Sequence, residues 1–326
     1  MRSMKKRYTF LLVAVVAIAS IALFGGVAKA AWPTRPISFV IPAGAGGGAD
    51  KYVRFLVGLN VKGHYVDEAI IPINKAGGAG AVAMNYVLNQ KGDDYTMMIT
   101  LNSFITTPLF QNLPFTFRNF TPIYLLALDN FPLWVPNDSP FKTFEDFLTE
   151  ARKRSITVGG TGSKQEDEIV FRAIQTIGKT KPFRYVPFKG GGSVAKALVG
   201  KHIEASVNQV SEAGPFFPEF VRPLVVFQDN RLTVKGLENV PTAKELGFDF
   251  SYNMMRAVFA PPGISKEAQD GMIELFSKIS ENPDWVAFAA KFGLQRTTIS
   301  GDALEKFCEN YEKLHIKIMK AQGWIK

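Results

Sequence analysis

Apolar residues fall into two alternating rhythms along this chain. Nine short runs rich in β-branched and aromatic residues read as strands: ISFVIPA (37–43), AIIPIN (69–74), YTMMIT (95–100), PIYLLAL (122–128), LWVPN (133–137), ITVGG (156–160), FRYVPF (183–188), IEASVN (203–208) and RPLVVF (222–227). Between them, DKYVRFLVGL (50–59), GAVAMNYVLNQ (80–90), FEDFLTEARK (144–153), EDEIVFRAIQTIG (166–178) and SVAKALVGK (193–201) carry apolar residues at helical spacing. This alternation predicts an α/β architecture with mostly parallel sheets and helices on both faces. Such continuous apolar runs suit strands covered on both sides. Beyond residue 227 the texture changes. A proline-punctuated crossing, FAPPG, leads into helical segments, and the chain is expected to end on helices, with Ser300 and Glu305 near one start and Gly323 past the last basic turn.

The first thirty residues follow a different pattern. Arg2, Lys5, Lys6 and Arg7 precede an apolar stretch from Phe10 to Phe24, and Ala28-Lys29-Ala30 supplies an A-x-A cleavage signal. The apolar stretch is short of the ~20 residues that span a bilayer, so 1–30 is read as a cleavable export signal rather than a retained anchor. The chain is therefore expected to be exported. From Ala31 onward 296 residues remain, more than one small core usually serves, so two lobes are expected.

Removing the leader also changes the charge. The whole chain has 38 Lys+Arg against 29 Asp+Glu, a net of +9; five basic residues and no acid lie within 1–30, which leaves 33 against 29, a net of +4. No dense Lys/Arg block with interleaved aromatics suggests a nucleic-acid face. Cys308 is the sole cysteine, so no internal disulfide is available, and it reads as a partly buried helix residue. His64, His202 and His315 stand in no metal-ligand spacing, and neither a metal nor a cofactor is expected.

Four glycine-rich loops carry the candidate chemistry: PAGAGGGAD (42–50), NKAGGAGAVAM (74–84), VGGTGSKQEDE (158–168) and FKGGGSVAK (188–196). Each follows a strand and opens a helix. Free N–H groups and the helix dipole make such a place a ready anion site, and ligands of open α/β sheets gather beyond the carboxyl ends of strands. Gly44-x-Gly46-x-x-Ala49 formally fits a dinucleotide pattern, but export argues against a nicotinamide enzyme. No P-loop and no G-x-S-x-G elbow is present, and no catalytic triad can be assembled from three scattered histidines. Binding without catalysis is the simpler reading.

Five stretches in order resemble the substrate-binding proteins of tripartite tricarboxylate transporters, the Bug-type receptors: RPISFVIPAGAGGGADKYVRFL, NKAGGAGAVAMNYVLNQKGDDYTMMIT, LPFTFRNFTPIYLLA, YVPFKGGGSVAKALVGKHIEASV and VPTAKELGF with FAPPGISKEAQDGM after it. The resemblance covers residues 32–326. It implies a two-lobed periplasmic-binding-protein fold, type II-like, with two crossovers near Leu128–Val135 and Ser251–Val258. Lobe 1 would comprise 31–130 and 252–326, and lobe 2 would comprise 131–251. The implied function is capture of a small carboxylate and its delivery to the membrane permease subunits of the transporter, by a monomer. Presentation of the loaded form to a sensor kinase, or a secreted hydrolase using the same cleft, are the alternatives.

The family's first site loop maps onto Ala43, Gly44, Ala45, Gly46, Gly47 and Asp50, with Thr100 and Ser103 at a neighbouring strand end. The second maps onto Gly160, Thr161, Gly162 and Ser163, with Asn208 at a neighbouring strand end. Two departures stand out. PFTFRNF carries aromatic and basic residues where the family has an aspartate, and the second site loop continues as Lys164, Gln165, Glu166, Asp167 and Glu168 instead of small polar residues and a histidine. Ser163 and Glu166 fit a capping box, S-x-x-E. Those acids offset the dipole that would receive an anion, so Lys164 is a candidate compensating contact for the ligand, against a solvated role. Asp50 reads mainly as a helix N-cap or loop brace, with Arg54 in reach at i,i+4. Phe104, Phe131 and Trp134 are near strand ends, where core packing is the default over stacking on a ligand.

Overall fold

The computed structural model describes residues 32–326, so the expected export signal at 1–30 lies outside the described residues. Eleven strands occur among them: β1 (Ile37–Ile41), β2 (Ile70–Asn74), β3 (Thr96–Thr100), β4 (Thr121–Asp129), β5 (Pro132–Pro136), β6 (Thr157–Thr161), β7 (Arg184–Phe188), β8 (Ala205–Ser206), β9 (Val221–Val226), β10 (Met254–Ala260) and β11 (Gln295–Ser300). The helices are α1 (Gly48–Gly63), α2 (Ala81–Leu88), α3 (Ser103–Gln111), α4 (Phe144–Lys153), α5 (Glu166–Gly178), α6 (Gly191–Val199), α7 (Val210–Ala213), α8 (Lys266–Glu281), α9 (Pro283–Phe292) and α10 (Gly301–Ala321).

The strands form two sheets, β11-β4-β10-β3-β1-β2 and β7-β6-β8-β5-β9. Pairing is parallel where glycine loops and helices link successive strands, at β1–β2, β1–β3, β6–β7 and β6–β8. It is antiparallel for β10 with β3 and β4, for β11 with β4, and for β5 with β8 and β9. The sheets are thus mixed rather than mostly parallel. The cause is the double crossing: a strand that has changed lobes re-enters from the far side and runs against its neighbours.

Side-chain alternation places helices on both faces of each sheet. Ile37, Phe39 and Ile41 of β1 face a core shared with Tyr52, Val53 and Leu56 of α1, while Val40 faces the opposite core beside Met84 and Phe104. In the second sheet Leu133 and Val135 face α4 and α5, and Trp134 faces α6. Phe104, Phe131 and Trp134 are all buried in these cores. So is Cys308, fully rather than partly, and burial pushes its thiol up to about 12.

The chain passes from β4 to β5 through Asn130 and Phe131, and returns to β10 through Tyr252 and Asn253. The two passages touch: Asn253 Nδ2 donates to the Asp129 carbonyl at 3.4 Å. Helix α10 adds a third link. Leu304 and Cys308 pack in the first sheet's core, whereas Leu314 and Ile318, with Trp324 just beyond the helix, pack against the second. At the changeover Tyr311 Oη donates to the Asn253 carbonyl at 3.3 Å. His315, fully buried, donates from Nδ1 to the Tyr311 carbonyl at 2.7 Å and accepts from Tyr252 Oη at 2.8 Å through Nε2.

Candidate functional site

All four glycine loops run from the end of a strand to the start of a helix, linking β1 to α1, β2 to α2, β6 to α5 and β7 to α6. The first loop needs one glycine for conformation, Gly46 at φ +77°, whereas a Cβ on Gly44 would meet open space. Asp50 braces it from below. Its carboxylate accepts from the Gly46 N–H at 2.8 Å, from Arg54 Nε at 3.0 Å and from Asn74 Nδ2 at 3.0 Å. Burial alone would push this carboxyl up, but Arg54, the Gly46 N–H and Asn74 outweigh it and hold it below the usual range. The N-cap of α1 is Gly47, which has no side chain to cap with, so Asp50 acts as a brace. Asn74 also donates to the Ala43 carbonyl at 3.0 Å, tying the second loop to the first.

The acidic run after the second-lobe loop has three separate partners. Glu166 Oε1 accepts from the Ser103 N–H at 2.6 Å, across the divide between the sheets and at the first turn of α3. Asp167 Oδ2 accepts from the Thr161 N–H at 2.6 Å, and Glu168 Oε2 from the Lys164 N–H at 2.7 Å, with Arg172 on its other oxygen at 2.9 Å. The expected capping box between Ser163 and Glu166 is therefore absent: α5 starts after Gln165, with no side-chain cap, and Glu166 satisfies a donor of the other lobe. Gly160 permits this crowding. A Cβ there would lie 2.4 Å from both Asp167 Cβ and Tyr185 Oη.

A fourth acid, Glu212, stands between two helix starts. A Cβ on Gly48, at the start of α1, would lie 3.1 Å from Glu212 Oε1, and one on Gly191, at the start of α6, would lie 2.0 Å from its carboxyl atoms. Asn208 Nδ2 donates both to Glu212 Oε2 and to the Gly191 carbonyl, each at 3.0 Å. Trp134 Nε1 holds the Asn208 carbonyl at 2.8 Å. Burial pushes Glu166 and Glu212 up from the ordinary carboxylate range, and Asp167 well above it. Behind Glu212, the buried pair of Arg256 and Asp129 is joined at 3.1 Å through Nε and 2.5 Å through Nη2.

Of the residues expected from sequence, Ser103 and Thr161 donate their N–H groups to the neighbouring acids Glu166 and Asp167, and Asn208 holds Glu212, which stands beside Gly48 at the end of the first glycine loop. Thr100 turns away, its Oγ1 donating to the Ala257 carbonyl at 3.0 Å within the sheet. Gly162, at φ +62°, donates its N–H to the Phe188 carbonyl at 2.9 Å, and Ser163 is exposed. Lys164 is exposed too, and its ammonium lies 5.7 Å from the centre of the Phe110 ring. Glu212, Asp129 and Arg256 were not anticipated. The available signal was a charge inside an apolar run: Arg256 within MMRAVFA and Asp129 at the end of PIYLLALD.

A recess of about 830 Å³ lies away from the cleft, among Phe144, Leu148, Leu224 and Phe248 with Lys142, Arg152 and Arg222, and none of the glycine loops reaches it. No helix among the described residues is long and apolar enough to cross a membrane.

Comparison with known proteins adds the following. A family model described as the tripartite tricarboxylate transporter family receptor matches residues 57–324. The UPF0065 protein in the gbd 5′ region of Cupriavidus necator is 25% identical over 304 residues, covering 90% of each chain. A TctC solute-binding protein from Polaromonas superposes with a TM-score of 0.70 at 26% identity, covering 89% of this chain and 99% of that one. MatC from Rhodopseudomonas palustris, solved with bound malate, gives 0.78 at 22% identity, covering 88% and 99%.

Proposed function

We propose a function on one premise: the chain belongs to the tripartite tricarboxylate transporter receptor family. It is an extracytoplasmic receptor that captures a small carboxylate between two lobes and delivers it to the membrane components of a transporter. The observation that carries this is the Ser103 N–H holding the Glu166 carboxylate at 2.6 Å across the cleft. A backbone donor at a helix start binds a carboxylate there, which supports the reading that such donors receive the carboxylate of a ligand. The malate held by MatC fits that chemistry. The lobes are assigned to 31–130 with 252–326 and to 131–251, supported by the membership of the two sheets. Export by cleavage after residue 30 would bring the receptor to the periplasm, where it works as a monomer.

The test is a thermal-shift and calorimetric screen of protein recovered from the periplasm of an expressing host, against mono-, di- and tricarboxylates with a nucleotide control. A ligand at ~100 times its Kd should add about 2.7 kcal/mol of stability. Turnover of any bound compound, or silence to every carboxylate by folded, ligand-free protein, would overturn the proposal.

A further inference from the structure

The recess of about 830 Å³ is walled by the start of α4, the end of α5, β9 and the irregular segment that follows β9. Its volume lies within the range of small-molecule sites, about 300–1,000 Å³. The wall is largely apolar. Phe144, Leu148, Leu224 and Phe248 line it, and Ile177 and Leu246 stand in it 43% and 49% exposed. A single exposed aliphatic side chain is ordinary, but two that converge on one concavity leave an apolar face that a solute can cover.

The charges of the recess supply a second, independent observation. They are Lys142, Arg152, Arg222 and Glu145. Arg152 Nη1 donates to Glu145 at 2.8 Å, so those two offset each other. Lys142 and Arg222 make no ion pair and turn to backbone instead. Lys142 Nζ donates to the Ser139 carbonyl at 3.1 Å, and Arg222 Nη2 donates to the same oxygen at 3.2 Å and to the Phe141 carbonyl. Arg222 Nε reaches the Asn137 carbonyl at 3.5 Å, while Nη1, which carries two N–H groups, has no partner within the protein. Asp146, the carboxylate that acts on Arg222, is committed elsewhere: its Oδ2 accepts from the Lys142 and Thr143 N–H groups at 2.9 Å each, in the cap of α4. Burial lowers the pKa of Arg222, as it does for a guanidinium drawn partly out of water with too little opposite charge beside it. One carbonyl shared by two cations is a dipole, and it does not neutralise them.

We propose that this recess is a second binding site, for an amphipathic anion whose oxyanion head takes Arg222 and Lys142 and whose apolar tail covers Ile177 and Leu246. A guanidinium receives carboxylate and phosphate oxygens alike through its fork of N–H groups, so the head is fixed as an oxyanion. The apolar wall fixes the rest of the ligand as hydrocarbon. No residue of the four glycine loops lines the recess, so it fills without displacing a ligand of the cleft, and it stands whether or not the cleft takes a carboxylate.

The experiment is isothermal calorimetry on the folded, ligand-free protein with octanoate, decanoate, octyl phosphate and octylammonium, each below its micelle concentration. Decanoate should bind at one site and about tenfold tighter than octanoate, because two further CH₂ groups are covered. Octylammonium should bind about tenfold or more weakly than octanoate, since it meets two cations. Octyl phosphate tighter than octanoate assigns the head to a phosphate ester such as a lipid headgroup, and the reverse order assigns it to a free fatty carboxylate; either supports the site. Leu246→Asp and Ile177→Asp change exposed positions and should each weaken decanoate by about tenfold or more, as should Arg222→Met. Decanoate bound equally by the unmodified protein and both rim variants occupies another part of the molecule and overturns the inference. Octylammonium bound as tightly as octanoate overturns it too. Silence toward every alkyl anion does so on the unmodified protein, whether or not Arg222→Met folds, and leaves the carboxylate receptor standing.

Discussion

Replacing His315 with glutamine should abolish a specific loss of acid stability. In the folded protein this imidazole is fully buried, and burial lowers its pKa to about 4, only partly opposed by its bond to the Tyr311 carbonyl. Unfolded, it titrates near 6.5. Its folded pKa lies below its unfolded one, so the stability it contributes is complete above pH 6.5 and is lost as the pH falls toward 4. The difference of roughly 2.5 pKa units corresponds to about 3 kcal/mol, of which about 2.5 kcal/mol is gone at pH 4.5. Glu166, Asp167 and Glu212, all shifted upward by burial, act in the opposite sense: they favour the folded form as pH falls from 7 toward the usual carboxylate range. A comparison of wild type with His315→Gln removes them, because both proteins carry the same acids. Urea unfolding at pH 7 should show the variant weaker by about 1–3 kcal/mol, from the bonds lost to Tyr252 and Tyr311. At pH 4.5 that deficit should shrink by about 2.5 kcal/mol or reverse. An equal deficit at both pH values, to within about 0.5 kcal/mol, would falsify the assignment of a neutral buried imidazole.

Two substitutions probe the cleft wall. Gly191→Ala would put a Cβ 2.0 Å from the Glu212 carboxyl, so that side chain must move; ligand affinity should fall by tenfold or more, with a stability cost of about 1–3 kcal/mol, and unchanged affinity in calorimetry would remove Glu212 from the site. Lys164→Met should change affinity less than threefold, since its ammonium lies over Phe110 at the rim; a larger loss would restore it as a ligand contact.

How much could be read from sequence depended on the range of the interaction. Eight of the nine strand runs reappear nearly residue for residue, because alternation and β-branching are local properties. The run at 203–208 shrinks to Ala205–Ser206, and β10 and β11 were missed. MMRAVFA lacks alternation because it is buried on both sides at the centre of its sheet, and QRTTIS is a polar strand at the edge. Helix α3 was missed as well, since SFITTPLFQ carries a proline within it. The four glycine loops were legible as strand-to-helix turns. The acids were not. Ser163 and Glu166 have the spacing of a cap, yet Glu166 reaches a donor 63 residues away, and Arg256 finds Asp129 at a separation of 127. Local spacing cannot rank a nearby donor against one that only the closed tertiary structure delivers.

Three strands of chain join the lobes: the passage through Asn130 and Phe131, the return through Tyr252 and Asn253, and the last helix at Tyr311 and His315. They are bonded to one another through Asn253 and the Tyr252–His315 contact. Panels fixed by three knuckles swing like a door and resist shearing, so a receptor opening between these lobes is expected to rotate about that seam. The hinge of such a rotation would be built from two tyrosines and one imidazole, Tyr252, Tyr311 and His315, which lie outside the glycine loops. Recognition and gating can therefore diverge separately, the latch changing with the ligand while the pin stays as it is.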